Sequence, residues 1–256
     1  MKYFVEKDSI VRQIWGKSDT VLFIFAGSAA EFALNKAVDW LYFTGRLPAD
    51  PLGRLFSTVG YARRIVFAKY DEALKTIDGI TSIHKAVENK RGSTIPDWAY
   101  RDVLFMLIHY SIASFEVLER KLSEEEKEEV FDVFYRLGKR MNLQGLPENY
   151  NSWLTVRAFD LEQDLKNGDY SVDLYKQYKK HLGAFRFRVL LEGQIMIVPD
   201  KVRNLLHFRK FSLLSPFVPL YKVSRLLKLD GFIKSIILPP AYKKEFKQLD
   251  TVSTTL

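Results

Sequence analysis

Four histidines, His84, His109, His181 and His207, are the only imidazoles in the 256 residues, and none stands in a His-x-x-x-His or His-x-x-Glu-His spacing. A zinc or non-haem iron site needs several such ligands converging at fixed intervals, so the pattern argues against one. His84 nonetheless shares a helix face with Ile77, Ile80 and Val87. An imidazole on an apolar face must satisfy both ring nitrogens, by hydrogen bonds or by binding a metal. Judged on that residue alone, a hydrogen-bonded core histidine is the commoner case. His109, between Phe105, Met106 and Ile112, is a second candidate ligand, with a buried structural hydrogen bond as its plainer role.

Arg54 and Thr58 are four residues apart, so a helix stacks them on one face, with Ser57 and Tyr61 close by. A guanidinium, two hydroxyls and a phenol there suit an anion, a propionate or an oxygen ligand; the same residues also make an ordinary polar helix edge. Arg186 and Arg188 alternate with Phe185 and Phe187, and Arg186 could point inward to a carboxylate, although a charge on a helix edge usually faces water. Zero cysteines exclude disulfides, thiolate nucleophiles and thiolate-ligated haem. Without a Gly-x-Gly-x-x-Gly, a Walker loop or a nucleophile elbow, nucleotide enzymes and serine hydrolases have no support.

The elements that must position these residues read as helices. Apolar positions recur at three and four residues throughout, and no alternating pair flanks an Asn-Gly or Asp-Gly turn. The expectation is an all-α, globin-like multi-helix bundle of about ten helices in a single domain. A first long helix is predicted from Ser18 or Asp19 to near Gly45, and a second from the Asp50-Pro51 start to Phe67. A third runs from Tyr70 to Arg91, an apolar one from Asp97 to Lys121, and one from the Ser123/Glu126 capping box to Met141. Further helices are expected at 152–166, 171–182, 185–197, 201–208, 218–227 and near Tyr242. The chain divides into an N-terminal segment (1–19), the helical domain (20–250) and a short tail (251–256).

Net charge is +8, and residues 171–256 hold 16 Lys+Arg against 6 Asp+Glu, so the basic character belongs to the C-terminal third. That excess is either a solvated face or a patch that meets anionic lipid or an acidic ligand. No nucleic-acid module accompanies it. The longest apolar run, Val21 to Leu34 interrupted by Glu31, is too short to cross a bilayer, and no secretory signal precedes it, so a cytoplasmic location with optional peripheral membrane contact is expected.

The order Asp50-Pro51-Leu52-Gly53-Arg54-Leu55-Phe56-Ser57-Thr58, then Phe67, then Ile83-His84-Lys85-Ala86-Val87, resembles the haem-dependent oxygenase family of latex-clearing protein and the mycophenolic-acid-pathway oxygenase. Its bacterial members similarly carry Asp-Pro-x-x-Arg-x-x-x-Thr followed about 25 residues later by His-x-x-Val. The likeness extends to 97–119, Leu122 to Glu126, Gly145-Leu146-Pro147 and Leu238-Pro239-Pro240. The resemblance implies a b-type haem with His84 as axial ligand and Arg54 and Thr58 in its pocket, flanked by Ser57 and Tyr61. Ser57 stands where rubber-cleaving members place a distal Lys, so rubber cleavage itself is not implied. Where many members have Trp-Val-His, this chain has Asp102-Val103-Leu104, with His109 displaced by about a turn and a half.

Two functions follow. One is a haem b oxygenase using dioxygen on a small apolar, isoprenoid or unsaturated lipid-like substrate. The other is a non-catalytic helical protein that binds lipid or a membrane surface through Phe208-Arg209-Lys210-Phe211, Phe217, Tyr221, Lys222, Arg225 and Lys228, where basic and large apolar residues interleave. Oligomeric state is not encoded in any pattern of this kind.

Overall fold

Ser9 starts the first helix: its hydroxyl accepts the Val11 amide at 3.1 Å and caps α1 (Ile10–Gly16), which buries Ile10, Val11, Ile14 and Trp15. The computed structural model describes residues 2–226 and Gly231. Phe4 and Val5 join the same buried cluster as α1, so residues ahead of Ser18 contribute to the main core.

The apolar run forms α2 (Ser18–Leu34), which is buried nearly all round. Sequence spacing carries this helix on to Gly45, but it ends at Leu34. Asn35 turns extended, its Oδ1 accepts the Ala37 amide at 2.8 Å, and its Nδ2 donates to Asp102 at 2.6 Å. The Lys166 amide then takes the Leu34 carbonyl at 2.7 Å. A side chain that bonds its own backbone competes with helix propagation, and here remote partners complete the break. The rest of the expected helix becomes α3 (Val38–Phe43), followed by the single turn α4 (Arg46–Ala49).

Beyond these lie α5 (Pro51–Phe67), α6 (Tyr70–Arg91), α7 (Asp97–Leu118), α8 (Glu124–Arg140) and α9 (Tyr150–Asp164). They continue into α10 (Asp169–Ile197), α11 (Asp200–Leu205), a 3-10 turn at Ser215–Phe217 and α12 (Val218–Leu226). The two helices expected at 171–182 and 185–197 are the two arms of α10, which breaks at Gly183, whose φ of 74° and ψ of 169° are non-helical and lie in a region open to glycine. Twelve α-helices are therefore present among the described residues, two more than expected, and no strands, only isolated bridges at Tyr3/Lys69 and Asn35/Leu165. The chain is a single all-α domain. The helix expected near Tyr242, Leu238-Pro239-Pro240 and the tail 251–256 lie outside the described residues.

The centre of the domain is the packing of α2 against α7. A Cβ at Gly27 would come within 2.2 Å of the Tyr110 ring, so glycine there is what lets the two helices approach. Around this pair Trp15, Phe105, Phe134, Trp153 and Tyr178 are fully buried, and Trp15 Nε1 donates to Ser111 Oγ at 3.1 Å. No helix among the described residues is long and apolar enough to cross a membrane.

Candidate functional site

Helix α5 starts where the sequence announces it. Asp50 Oδ1 accepts the Gly53 amide at 2.9 Å, and Pro51 takes the first helical position, where its missing N–H costs nothing. That cap fixes Arg54, Ser57 and Thr58 within the first two turns. Arg54 Nη1 donates to Ser57 Oγ at 3.3 Å. The Ser57 and Thr58 hydroxyls both donate back to the Arg54 carbonyl, at 2.8 and 3.2 Å.

Helix α6 brings His84 next to this group. The imidazole packs edge-on to Tyr100 at the start of α7, with ring centroids 5.0 Å apart. Its Nδ1 is buried and has no hydrogen-bond partner. Its pKa is pushed down to about 4, first by burial and then by the positive charge of Arg54, against the opposing charge of Glu88. Arg54 and His84 thus sense each other across the α5/α6 contact. Glu88, one turn beyond His84, accepts the Tyr100 hydroxyl at 3.2 Å and the Ile95 amide at 2.9 Å, and so ties the end of α6 to the start of α7.

The apolar stripe of α6 leaves the core as it approaches His84. Ile77 is wholly buried, Ile80 and Val87 are half-buried, and Ile83 is 48% exposed. The result is a neutral imidazole with a buried free nitrogen, an uncovered apolar strip beside it, and a guanidinium and two hydroxyls on the neighbouring helix.

Not every expected residue joins them. Tyr61 lies two turns beyond Arg54 and three residues beyond Thr58 on α5, and its ring carries the Arg64 guanidinium, 4.7 Å from the centroid. His109 is nine residues past Tyr100 on α7, which places it on the opposite face of that helix and about 13 Å along it. It belongs to a separate polar group inside the domain. Its Nε2 is buried and unpartnered, and its pKa is lowered to about 4 by burial and then by Arg157, against Glu31 and a backbone hydrogen bond with Ile197. Glu31 there accepts the Tyr110 hydroxyl at 2.8 Å and pairs with Arg157.

Sequence reasoning missed Tyr100 and Glu88 at the His84 site, although Glu88 at four residues from His84 could have been read as its helical neighbour. It also missed the carboxyl group of Asp102, Asp160 and Asp164, whose oxygens lie within 4.8 Å of one another. Arg101 donates to Asp160 at 3.2 Å and Asn35 to Asp102 at 2.6 Å, so protein groups already serve two of these three carboxylates.

The model of the family described as ER-bound oxygenase mpaB/B'/Rubber oxygenase, catalytic domain, matches residues 15–212. The chain belongs to this family. The match takes in the end of α1 and all of α2 to α11, including Arg54, Ser57, Thr58, Tyr61, His84 and His109, whereas α12 lies beyond it. No curated protein and no solved structure matches the chain. Membership of an oxygenase catalytic-domain family implies a substrate and dioxygen, and with them a metal or haem cofactor.

Proposed function

We propose that the protein is a haem b-dependent oxygenase acting on a small apolar, isoprenoid or unsaturated lipid-like substrate, with the haem held between α5 and α6. The observation that carries this reading is the buried, unpartnered Nδ1 of His84 beside Arg54. A buried polar atom without a partner is costly, and a metal is one of the few groups that satisfies an imidazole lone pair. The depressed pKa keeps the ring neutral near pH 7, the state that ligates iron. Ile80, Ile83 and Val87 offer the apolar strip on which a porphyrin edge or an alkene chain would rest.

Each residue then has a distinct role. His84 would hold the iron. Arg54 would meet a carboxylate of the bound group through a charge-assisted contact. Thr58 and Ser57 now donate to the Arg54 carbonyl, and a rotation about χ1 would turn either hydroxyl toward the bound group. Tyr100, held by Glu88, sets the plane of the His84 ring and keeps water from it. Tyr61 would close the far end of the same helix face. Bound haem supplies the activation of dioxygen, whose fate depends on the polarity and donors around it. Addition of one dioxygen across a carbon–carbon double bond yields two carbonyl products and needs no external reductant.

The test is spectroscopic. Purified protein titrated with hemin should develop a Soret band near 400 nm at one equivalent. His84→Ala should weaken or shift it, while His109→Ala should leave it in place. Spectra identical in the wild type and His84→Ala would remove His84 from the ligand role, and dependence on His109 alone would move the metal to the interior group.

A further inference from the structure

Helix α12 is amphipathic the wrong way round. Its polar residues Tyr221, Lys222 and Arg225 lie on one side and its apolar residues Leu220 and Val223 on the other, as spacings of three and four require. In a surface helix the apolar side faces the core. Here the polar side does. The Tyr221 hydroxyl donates to Asp19 Oδ2 at 3.1 Å, Arg225 Nη2 pairs with Glu119 at 2.6 Å, and Lys222 Nζ donates to the Glu119 carbonyl at 3.1 Å. Leu220 and Val223 are left in water.

The segment leading into α12 is built the same way. Glu192 on α10 is buried and gathers three donors: Ser212 Oγ at 2.8 Å, the Leu213 amide at 2.7 Å and the Arg209 guanidinium. Ser212 is drawn inward, and its neighbours Phe211 and Leu213 point outward. With Phe217 they extend the apolar surface of α12. The exposure of these five side chains, Phe211, Leu213, Phe217, Leu220 and Val223, runs from 50% at Val223 to 72% at Phe211. Isolated exposed apolar residues are ordinary, but a run of five held out by anchored polar partners marks a contact surface.

We propose that this face docks on an anionic lipid surface, with the five apolar side chains entering the headgroup boundary and Lys210 meeting lipid phosphates. The charge favours lipid over a second copy or an ordinary protein partner. Lys210 is exposed beside Phe211, its Nζ 5.6 Å from the ring centroid, and the stretch 227–250 that follows contains five Lys against three acidic residues. Phenylalanine and leucine interleaved with Lys is the composition of interfacial segments, whose binding combines apolar burial with attraction to anionic headgroups. Leu213, Phe217, Leu220 and Val223 lie beyond residue 212, where the match to the oxygenase family ends, while Phe211 and the anchoring Glu192, Glu119 and Asp19 lie within it. The surface lies at the opposite end of α7 from Tyr100 and His84, about 27 Å along that helix, and does not depend on the haem reading.

The experiment is co-sedimentation of the full chain with phosphatidylcholine vesicles, with and without 30% phosphatidylserine. The wild type should bind the anionic vesicles at least tenfold more strongly, and raising salt from about 0.1 to 0.5 M should weaken that binding as screening shortens. Phe217→Glu combined with Leu220→Glu should lower vesicle binding at least tenfold while leaving the melting temperature and the hemin spectrum unchanged, since both side chains already face water. Glu119→Ala, which frees α12 from its anchor, should weaken binding less than the double substitution. Equal binding to neutral and anionic vesicles, or full binding by the double variant, overturns the proposal. So does a concentration-dependent dimer that the double variant abolishes in the absence of lipid, which would assign the face to a second copy.

Discussion

Glu31 of α2 and Arg157 of α9 form an ion pair inside the core, with 0% and 5% of their side chains exposed. The same carboxylate accepts the Tyr110 hydroxyl, so α2, α7 and α9 meet at one charge. Removing one member of a buried pair leaves the other charged without compensation, typically at a cost of about 3–5 kcal/mol. Glu31→Gln should therefore destabilise the domain by an amount in that range in urea unfolding. Tyr110→Phe, which removes only a hydrogen bond, should cost about 1–2 kcal/mol. A Glu31→Gln variant as stable as the wild type would mean that the pair contributes nothing that solvent cannot replace.

His109 makes stability fall on the acid side. The native ring titrates near 4 because burial opposes its charge, while in the unfolded chain it titrates near 6.5. The unfolded state thus binds the proton more readily. The contribution is fully present above about pH 6.5 and is lost as pH falls from there to about 4, amounting to roughly 3 kcal/mol at most. Unfolding free energies of the wild type and His109→Gln at pH 7 and pH 4.5 should differ in slope, with the variant flatter. Parallel lines would show that His109 is not protected from protonation in the fold.

Asp102 acts in the opposite direction. Burial, reinforced by the charges of Asp164 and Asp160 and opposed by the Asn35 hydrogen bond, raises its pKa to about 7. The native carboxyl then holds its proton through the range in which the unfolded one loses it, from about 3.9 to 7. Its favourable contribution is present below about pH 4 and is lost as pH rises through 7. Asp102→Asn keeps an acceptor for Asn35 and removes the buried charge. It should therefore be nearly neutral at pH 4 and stabilising by about 1 kcal/mol or more at pH 8, measured by thermal melting. Stabilisation that is the same at both pH values would point to packing instead of ionisation.

Much of this architecture is written locally in the sequence. Asp50-Pro51 and the Ser123/Glu126 pair start helices with their own side chains, and both caps form. The stripe Ile77, Ile80, His84, Val87 reads as one face of α6 without reference to any other helix. The break at Asn35 is different in kind, because Asp102 and the Leu165 region fix it from more than 60 residues away. Tyr100 is invisible for the same reason: its position beside His84 depends on how α7 crosses α6. Glu31 was the one legible clue to the interior network, as a lone acid in an apolar run has to find a cationic partner when buried. The inward turn of Tyr221, Lys222 and Arg225 could not be read from periodicity, which gives two faces but not which one docks.

Arg54 and His84 provide the sharpest check on the proposed site, because their interaction can be measured without haem. Burial is the larger cause of the low His84 pKa and the Arg54 charge is the second. Arg54→Met should therefore raise the pKa of His84 in the apoprotein, observed as the midpoint of its ring-proton shift in an NMR titration, while leaving it below 6.5 because burial remains. Arg54→Lys, which keeps the charge, should titrate close to the wild type. A protonated imidazole cannot ligate iron, so the pH at which reconstituted protein releases hemin should move upward in Arg54→Met by a comparable amount. If neither midpoint moves, the guanidinium does not face the ring, and α5 and α6 do not share a cofactor between these two residues.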